Sequence, residues 1–106
     1  MKNLSGIEVK TIDINAREWF DKVNGNSYFS AQVVVNYGYE SEKIFILPFQ
    51  YGYESQYIYS SFEKLRNEGI LPMFKNAPSI FCRENGIAFN YSKQENCLKK
   101  NMYKVN

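Results

Sequence analysis

Tyr28-Phe29-Ser30-Ala31-Gln32-Val33-Val34-Val35-Asn36 is the stretch on which the fold turns. Phe29, Ala31, Val33 and Val35 fall on one face of an extended chain. Tyr28, Ser30, Gln32 and Asn36 fall on the other, with Val34. That period of two marks a strand with one face on a core. A second apolar run follows at Lys43–Gln50. It is apolar on both faces, Ile44 and Ile46 on one and Phe45, Leu47 and Phe49 on the other, which predicts a central strand. Tyr37–Glu42 joins the two as a hairpin.

Outward toward the N-terminus, Ile7, Val9 and Thr11 alternate with Glu8 and Lys10 and predict a first strand. Asn15 followed by Glu18 has capping-box spacing, and Ala16–Val23 predicts two helical turns with Trp19, Phe20 and Val23 facing inward. On that basis Trp19 is expected in the core. Asn24-Gly25-Asn26-Ser27 ends this segment as a turn.

Outward toward the C-terminus, Ser55–Glu68 predicts the main helix, with Ile58, Phe62 and Leu65 inward and Gly69 as its stop. Tyr57 and Tyr59 are about 200° apart on a helical wheel, so at least one is exposed. Pro78–Asn85 predicts a short second helix, with Pro78 in the first turn, Gly86 as C′ and Ile87 as its apolar contact. Ile87, Phe89 and Tyr91 begin a last strand, and residues 93–106 fit either state. The whole is a single α+β domain over residues 1–106: a small, mainly antiparallel sheet with two or three helices packed on one face.

Composition narrows the function. An apolar fraction of 44% with 23% charged residues excludes whole-chain disorder. Nine Tyr and eight Phe exceed what one small core absorbs, so several rings, the phenols above all, lie at a surface or groove. Residues 1–74 carry seven basic and nine acidic side chains, against six and two in residues 75–106, so the C-terminal third is the basic one. No stretch approaches a membrane span, and Met1–Ile7 lacks the apolar region of a signal peptide. Cys82 and Cys97 form no CxxC pair, which predicts two free thiols and a cytoplasmic setting.

The chain has no His, which removes the usual general base, the usual nucleophile activator and His-based zinc sites. There is no phosphate-cradling GxxxxGK[ST] and no GxGxxG. Nothing in the spacing of Glu18, Asp21, Glu40 and Glu54 singles out a pair. The expectation is a non-enzyme with no metal and no cofactor.

Binding chemistry concentrates in two segments. Asn24-Gly25-Asn26-Ser27-Tyr28 offers amides and a ring beside a turn. Gln50-Tyr51-Gly52-Tyr53-Glu54-Ser55 joins a strand end to a helix N-terminus, where Gly52 would let a ligand approach and free N–H groups suit an anion. If the hairpin is regular, both segments meet at one end of the sheet. The candidate binding residues are therefore Asn24, Asn26, Tyr28, Gln50, Tyr51, Gly52, Tyr53 and Ser55. Tyr37-Gly38-Tyr39-Glu40-Ser41 recurs as Tyr51-Gly52-Tyr53-Glu54-Ser55; two copies make no solenoid.

Trp19-Phe20-Asp21-Lys22-Val23-Asn24-Gly25-Asn26-Ser27-Tyr28-Phe29-Ser30, Leu47-Pro48-Phe49-Gln50-Tyr51-Gly52-Tyr53, Glu84-Asn85-Gly86-Ile87 and Lys93-Gln94-Glu95-Asn96-Cys97-Leu98-Lys99 together resemble a family of small bacteriophage and prophage proteins. The resemblance brings no established activity and no catalytic residues. It implies a setting, a phage accessory protein in the bacterial host cytoplasm, and not a mechanism. With the absent catalytic site and the exposed aromatics, the expectation is inhibition of a protein of antiviral defence, such as a CRISPR effector, by stoichiometric binding. Single-stranded nucleic acid, taken by Tyr28, Tyr51, Tyr53 and the basic third, and a sequestered nucleotide near Gly52 are the alternatives.

Overall fold

The computed structural model describes residues 8–104. Strands β1 (Thr11–Asp21), β2 (Asn26–Val35), β3 (Lys43–Tyr51) and β4 (Ala88–Gln94) form one sheet in the order β3-β2-β1-β4. β1–β2 and β2–β3 are antiparallel and β4 runs parallel to β1, so the sheet is mixed but mainly antiparallel. Helices α1 (Gln56–Asn67) and α2 (Pro78–Glu84) lie between β3 and β4 in sequence, and α1 packs on one face of the sheet. The α+β expectation and the 28–36/43–50 hairpin hold.

The core follows the alternation in β2. Phe29, Ala31, Val33 and Val35 are buried against Tyr57, Phe62 and Leu65 of α1. Phe62 has no exposed surface and meets Phe74 and Phe89 edge-on, at 6.1 and 5.2 Å. The inward stripe of α1 is rotated from the expected one. Tyr57 is buried in the core cluster while Ile58 is half-buried and Tyr59 exposed.

Both helices end as their glycines predict. Gly69 and Gly86 have φ of 75° and 67°, which glycine adopts without the Cβ clash. Ile70 and Ile87 each donate back to a carbonyl of the last turn, Leu65 O at 2.9 Å and Cys82 O at 2.9 Å, and both are buried. This is the Schellman arrangement with its apolar contact.

Three expectations fail. Residues 16–23 are not a helix: β1 runs unbroken from Thr11 to Asp21. Ile12, Ile14 and Ala16 are buried while Asp13, Asn15 and Arg17 face the other side. A two-turn helix is marginal alone, whereas a strand flanked by β2 and β4 pairs its backbone on both sides. The apparent capping box is used across the sheet instead. Asn15 Oδ1 accepts from Ser92 Oγ at 3.0 Å, and Glu18 pairs with Lys93 Nζ at 3.0 Å. Consequently Trp19 leaves the main core and Val23 is 92% exposed. Of the expected first strand, Val9 is buried next to β1, and Ile7 lies outside the described residues.

Second, β3 is an edge strand, not a central one. Pro48 fits that place, since it has no N–H to give to a neighbour on either side. Third, Phe49 does not share a face with Phe45 and Leu47. The β2–β3 register passes from Ala31↔Leu47 to Phe29↔Gln50, so β3 carries one extra residue opposite Ser30. This bulge reverses the alternation beyond Pro48. Phe45 and Leu47 therefore face the helices, and Phe49 and Tyr51 face away from them.

The C-terminal segment settles on that second face. Cys97 N donates to Glu18 O (2.9 Å), Arg17 Nη1 to Asn101 O (2.7 Å) and Tyr103 N to Ser30 Oγ (2.7 Å). Lys99–Asn101 form one 3-10 turn, and Met102 is buried. Ser30, polar and wholly buried, has its partner there.

Candidate binding surface

Alternation in β1 and β2 and the bulge in β3 put the rings of Trp19, Tyr28, Phe49 and Tyr51 side by side on the face away from the helices, and Tyr53 joins them from the loop after β3. Trp19 and Tyr28 are cross-strand partners with centroids 5.7 Å apart. Tyr28 stacks on Phe49 at 5.0 Å with 10° between planes, and Trp19 meets Phe49 at 6.0 Å. Tyr51 packs edge-on against Tyr28 at 5.8 Å and Tyr53 against Tyr51 at 6.4 Å. The rings hold one another in place, as aromatic pairs at these separations do. Part of the cluster remains open to solvent: Phe49 is 38% exposed, Tyr51 58% and Tyr53 57%. Lys99 from the C-terminal segment lies over Trp19 at 5.1 Å and Phe49 at 5.5 Å.

The Asn24–Tyr28 and Tyr51–Ser55 segments meet at one end of the sheet. Tyr28 is opposite Tyr51, and Gly52 N extends the ladder by donating to Ser27 O at 3.1 Å. Of the eight candidates, Tyr28, Tyr51 and Tyr53 join the ring cluster. Asn24 is used by its own turn: its amide donates to Asp21 Oδ2 at 2.8 Å, and Asp21 Oδ1 accepts from the N–H groups of Val23 and Asn24. These bonds, the Asn24 amide first, hold the exposed Asp21 carboxyl below its usual pKa. Asn26 is half-buried at the strand start. Gln50 turns back to its own strand, donating to Pro48 O at 3.0 Å.

Packing requires glycine at position 52. It is buried, and a Cβ there would sit 2.7 Å from the Phe29 ring and 2.9 Å from Gln56 Cγ. Ser55 is exposed and its side chain does not cap α1. Between the end of β3 and the first turn of α1 runs a groove of about 340 Å³, lined by Tyr51, Gly52, Tyr53, Glu54, Ser55, Gln56 and Tyr59. Glu54 occupies the left-handed region (φ 54°), and its carbonyl accepts from Lys93 Nζ at 2.9 Å. The same lysine is paired with Glu18, so the bend is anchored from beneath. The groove carries a carboxylate and no Lys or Arg, which opposes the anion site expected at this helix end.

The sequence reading missed Trp19, Phe49 and Lys99. Ile12, Ile14 and Ala16 against Asp13, Asn15 and Arg17 was the available signal for Trp19, and Pro48 within an apolar run was the signal for Phe49. Nothing local places Lys99, which reaches the rings through tertiary packing.

The thiols are free, with Cys82 buried and Cys97 half-buried. Burial pushes the Cys82 thiol up to about 11, unlike the depressed value of a nucleophilic cysteine. Among the described residues no group of three His, Cys, Asp or Glu could hold a metal, and no helix is long and apolar enough to cross a membrane. Neither a family model nor a curated protein nor a solved structure matches this chain.

Proposed function

We propose that this chain is a binding protein that occupies a protein partner stoichiometrically through the Trp19–Tyr28–Phe49–Tyr51–Tyr53 surface. The observation that carries the reading is the contiguity of five rings across three chain segments, with the last three substantially exposed. Pre-ordered aromatics supply large contact area at little entropic cost, and such residues dominate interface hot spots. The resemblance to phage proteins supplies the partner class: a host protein of antiviral defence, such as a CRISPR effector, met in the bacterial cytoplasm and inhibited by occupancy without catalysis.

Charge favours protein over a nucleic-acid strand. Arg17, Lys22, Lys99 and Lys100 around this face stand against Asp13, Asp21 and Glu54, so the surface carries a small net positive charge and not the concentrated field that phosphate binding draws on. Of the other basic residues in the C-terminal third, Lys93 is committed to Glu18. The test is affinity capture from a bacterial host lysate with wild type and with a Tyr51→Ala/Tyr53→Ala variant, each with and without nuclease. A partner retained after nuclease, lost with the variant and inhibited at equimolar ratio when purified is the expected result. Capture abolished by nuclease, with binding that weakens steeply in salt, would establish the nucleic-acid reading instead.

A further inference from the structure

Every cation–π contact among the described residues is made by a ring other than those of Tyr51, Tyr53 and Tyr59. These three line the groove at the end of β3, and Tyr59 is 53% exposed. The fourth chemical element of that groove is the Glu54 carboxylate, exposed and without an ion-pair partner among the described residues. Its backbone bend is held by Lys93, whose ammonium faces the Glu54 carbonyl and Glu18. Three rings and one carboxylate line about 340 Å³, the donor set that aromatic sites for organic cations use. Two features work against a cation: the N-terminus of α1, which contributes about half a positive charge, and the Lys93 ammonium at the Glu54 carbonyl, which its ion pair with Glu18 offsets. Glu54 contributes a full negative charge and stands next to the N-cap residue Ser55, so the carboxylate prevails.

We propose that this groove takes the guanidinium of an arginine side chain presented by the partner protein. The inference rests on the protein-binding reading above and specifies what that partner inserts beside the ring surface. Arginine fits better than lysine because its planar head stacks on rings while its fork of N–H groups meets a carboxylate, whereas a lysine ammonium is a compact, strongly hydrated charge. Phosphate and nucleotides are disfavoured, since they would bring a second negative charge to Glu54.

The experiment titrates the full chain with three blocked tripeptides, Gly-Arg-Gly, Gly-Lys-Gly and Gly-citrulline-Gly, and separately with inorganic phosphate, following backbone amide shifts by NMR. Arginine is expected to shift the Gly52–Gln56 amides with millimolar affinity, lysine more weakly, and the neutral citrulline isostere not at all. Glu54→Gln and Tyr53→Ala should each weaken arginine binding by about fivefold or more, with the remaining amide spectrum unchanged. Citrulline binding as well as arginine, phosphate shifting the same amides, or no shift in this loop at tens of millimolar would each overturn the proposal. The two readings fail separately. A partner lost with Tyr51→Ala/Tyr53→Ala but bound normally by Glu54→Gln would leave the ring surface standing and remove the arginine site. Arginine binding with no captured partner would do the reverse.

Discussion

Asn36 does more for the fold than its place at the end of a strand suggests. It is fully buried at φ 56°, and its side chain is saturated. Oδ1 accepts from Lys10 N (2.7 Å) and Thr11 N (3.2 Å), while Nδ2 donates to Glu8 O (2.8 Å) and Ser41 Oγ (2.9 Å). One amide thus ties the segment entering β1 to the hairpin loop. Asn36→Ala strands these partners and puts a Cβ-bearing residue without local hydrogen bonding in the left-handed region. A loss of about 2–4 kcal/mol in urea unfolding is expected. Gly52→Ala should cost about 1–3 kcal/mol, because the new methyl must displace the Phe29 ring or Gln56. Its effect belongs to stability, so a variant that stays folded should keep whatever binding the rings provide. Cys82 makes the alkaline prediction. The folded thiol titrates near 11 against 9.0 for its ordinary value. Between those values the unfolded chain has lost a proton that the folded chain keeps, so stability falls as pH rises through that window, by about 2 kcal/mol near its top. The difference in unfolding free energy between wild type and Cys82→Ala, followed from pH 8 to about 10.5, isolates this from the tyrosines; a difference constant with pH would refute it. Under native conditions a thiol reagent should modify Cys97 well before Cys82.

At the scale of elements, the strands and helices after residue 26 could be located from the chain because local pattern marks each of them, although the edge place of β3 and the face of Phe49 are set by the sheet. β2 alternates as its burial does. The helix stops at Gly69 and Gly86 are local backbone chemistry, and both occur as written. β1 was misread because its second half satisfies two patterns at once. Asn15 and Glu18 mimic a helix cap, and the deciding fact, pairing with β4 some 75 residues away, is not local. The candidate surface was half legible for the same reason. Tyr28, Tyr51 and Tyr53 lie where a regular hairpin puts them, whereas Phe49 depends on a bulge that reverses its face, and Trp19 on β1 being a strand. The element assignment changes what Trp19→Ala should do. A fully buried Trp would cost about 3–5 kcal/mol on truncation. Half-buried in a surface cluster, this one should cost about 1–2 kcal/mol, with an unchanged far-ultraviolet spectrum and impaired partner binding. A loss above about 3 kcal/mol in chemical denaturation would return Trp19 to the core.

At the scale of the molecule, the sheet has two differently built faces. One is closed by α1 and α2 over a continuous apolar core. The other is closed only in part, by a short C-terminal segment held through Cys97, Asn101, Met102 and Tyr103. The uneven charge along the chain has its physical counterpart here. Lys99 and Lys100 belong to this segment and lie on the face that carries Asp13 and Asp21 of β1, and Lys99 draws the Asp21 carboxyl further down. A chain ended after Gln94 would keep every residue of the helix-side core cluster and lose the segment. It should therefore fold, with native-like helix content, but with about 2–4 kcal/mol less stability. Burial of one Met side chain contributes about 1.5–3 kcal/mol, and the three hydrogen bonds, exchanged for bonds to water, contribute less than their number suggests. Ser30 and the flank of Trp19 would then be exposed beside the existing rings, enlarging an apolar patch already open to solvent. The shortened chain is expected to self-associate at concentrations where the full chain does not, which sedimentation velocity would read directly. Failure to fold at all would show that the C-terminal segment is part of the core and not a cover over it. Unchanged stability would show that its hydrogen bonds contribute nothing net, and would leave the aromatic surface wider than the five rings described.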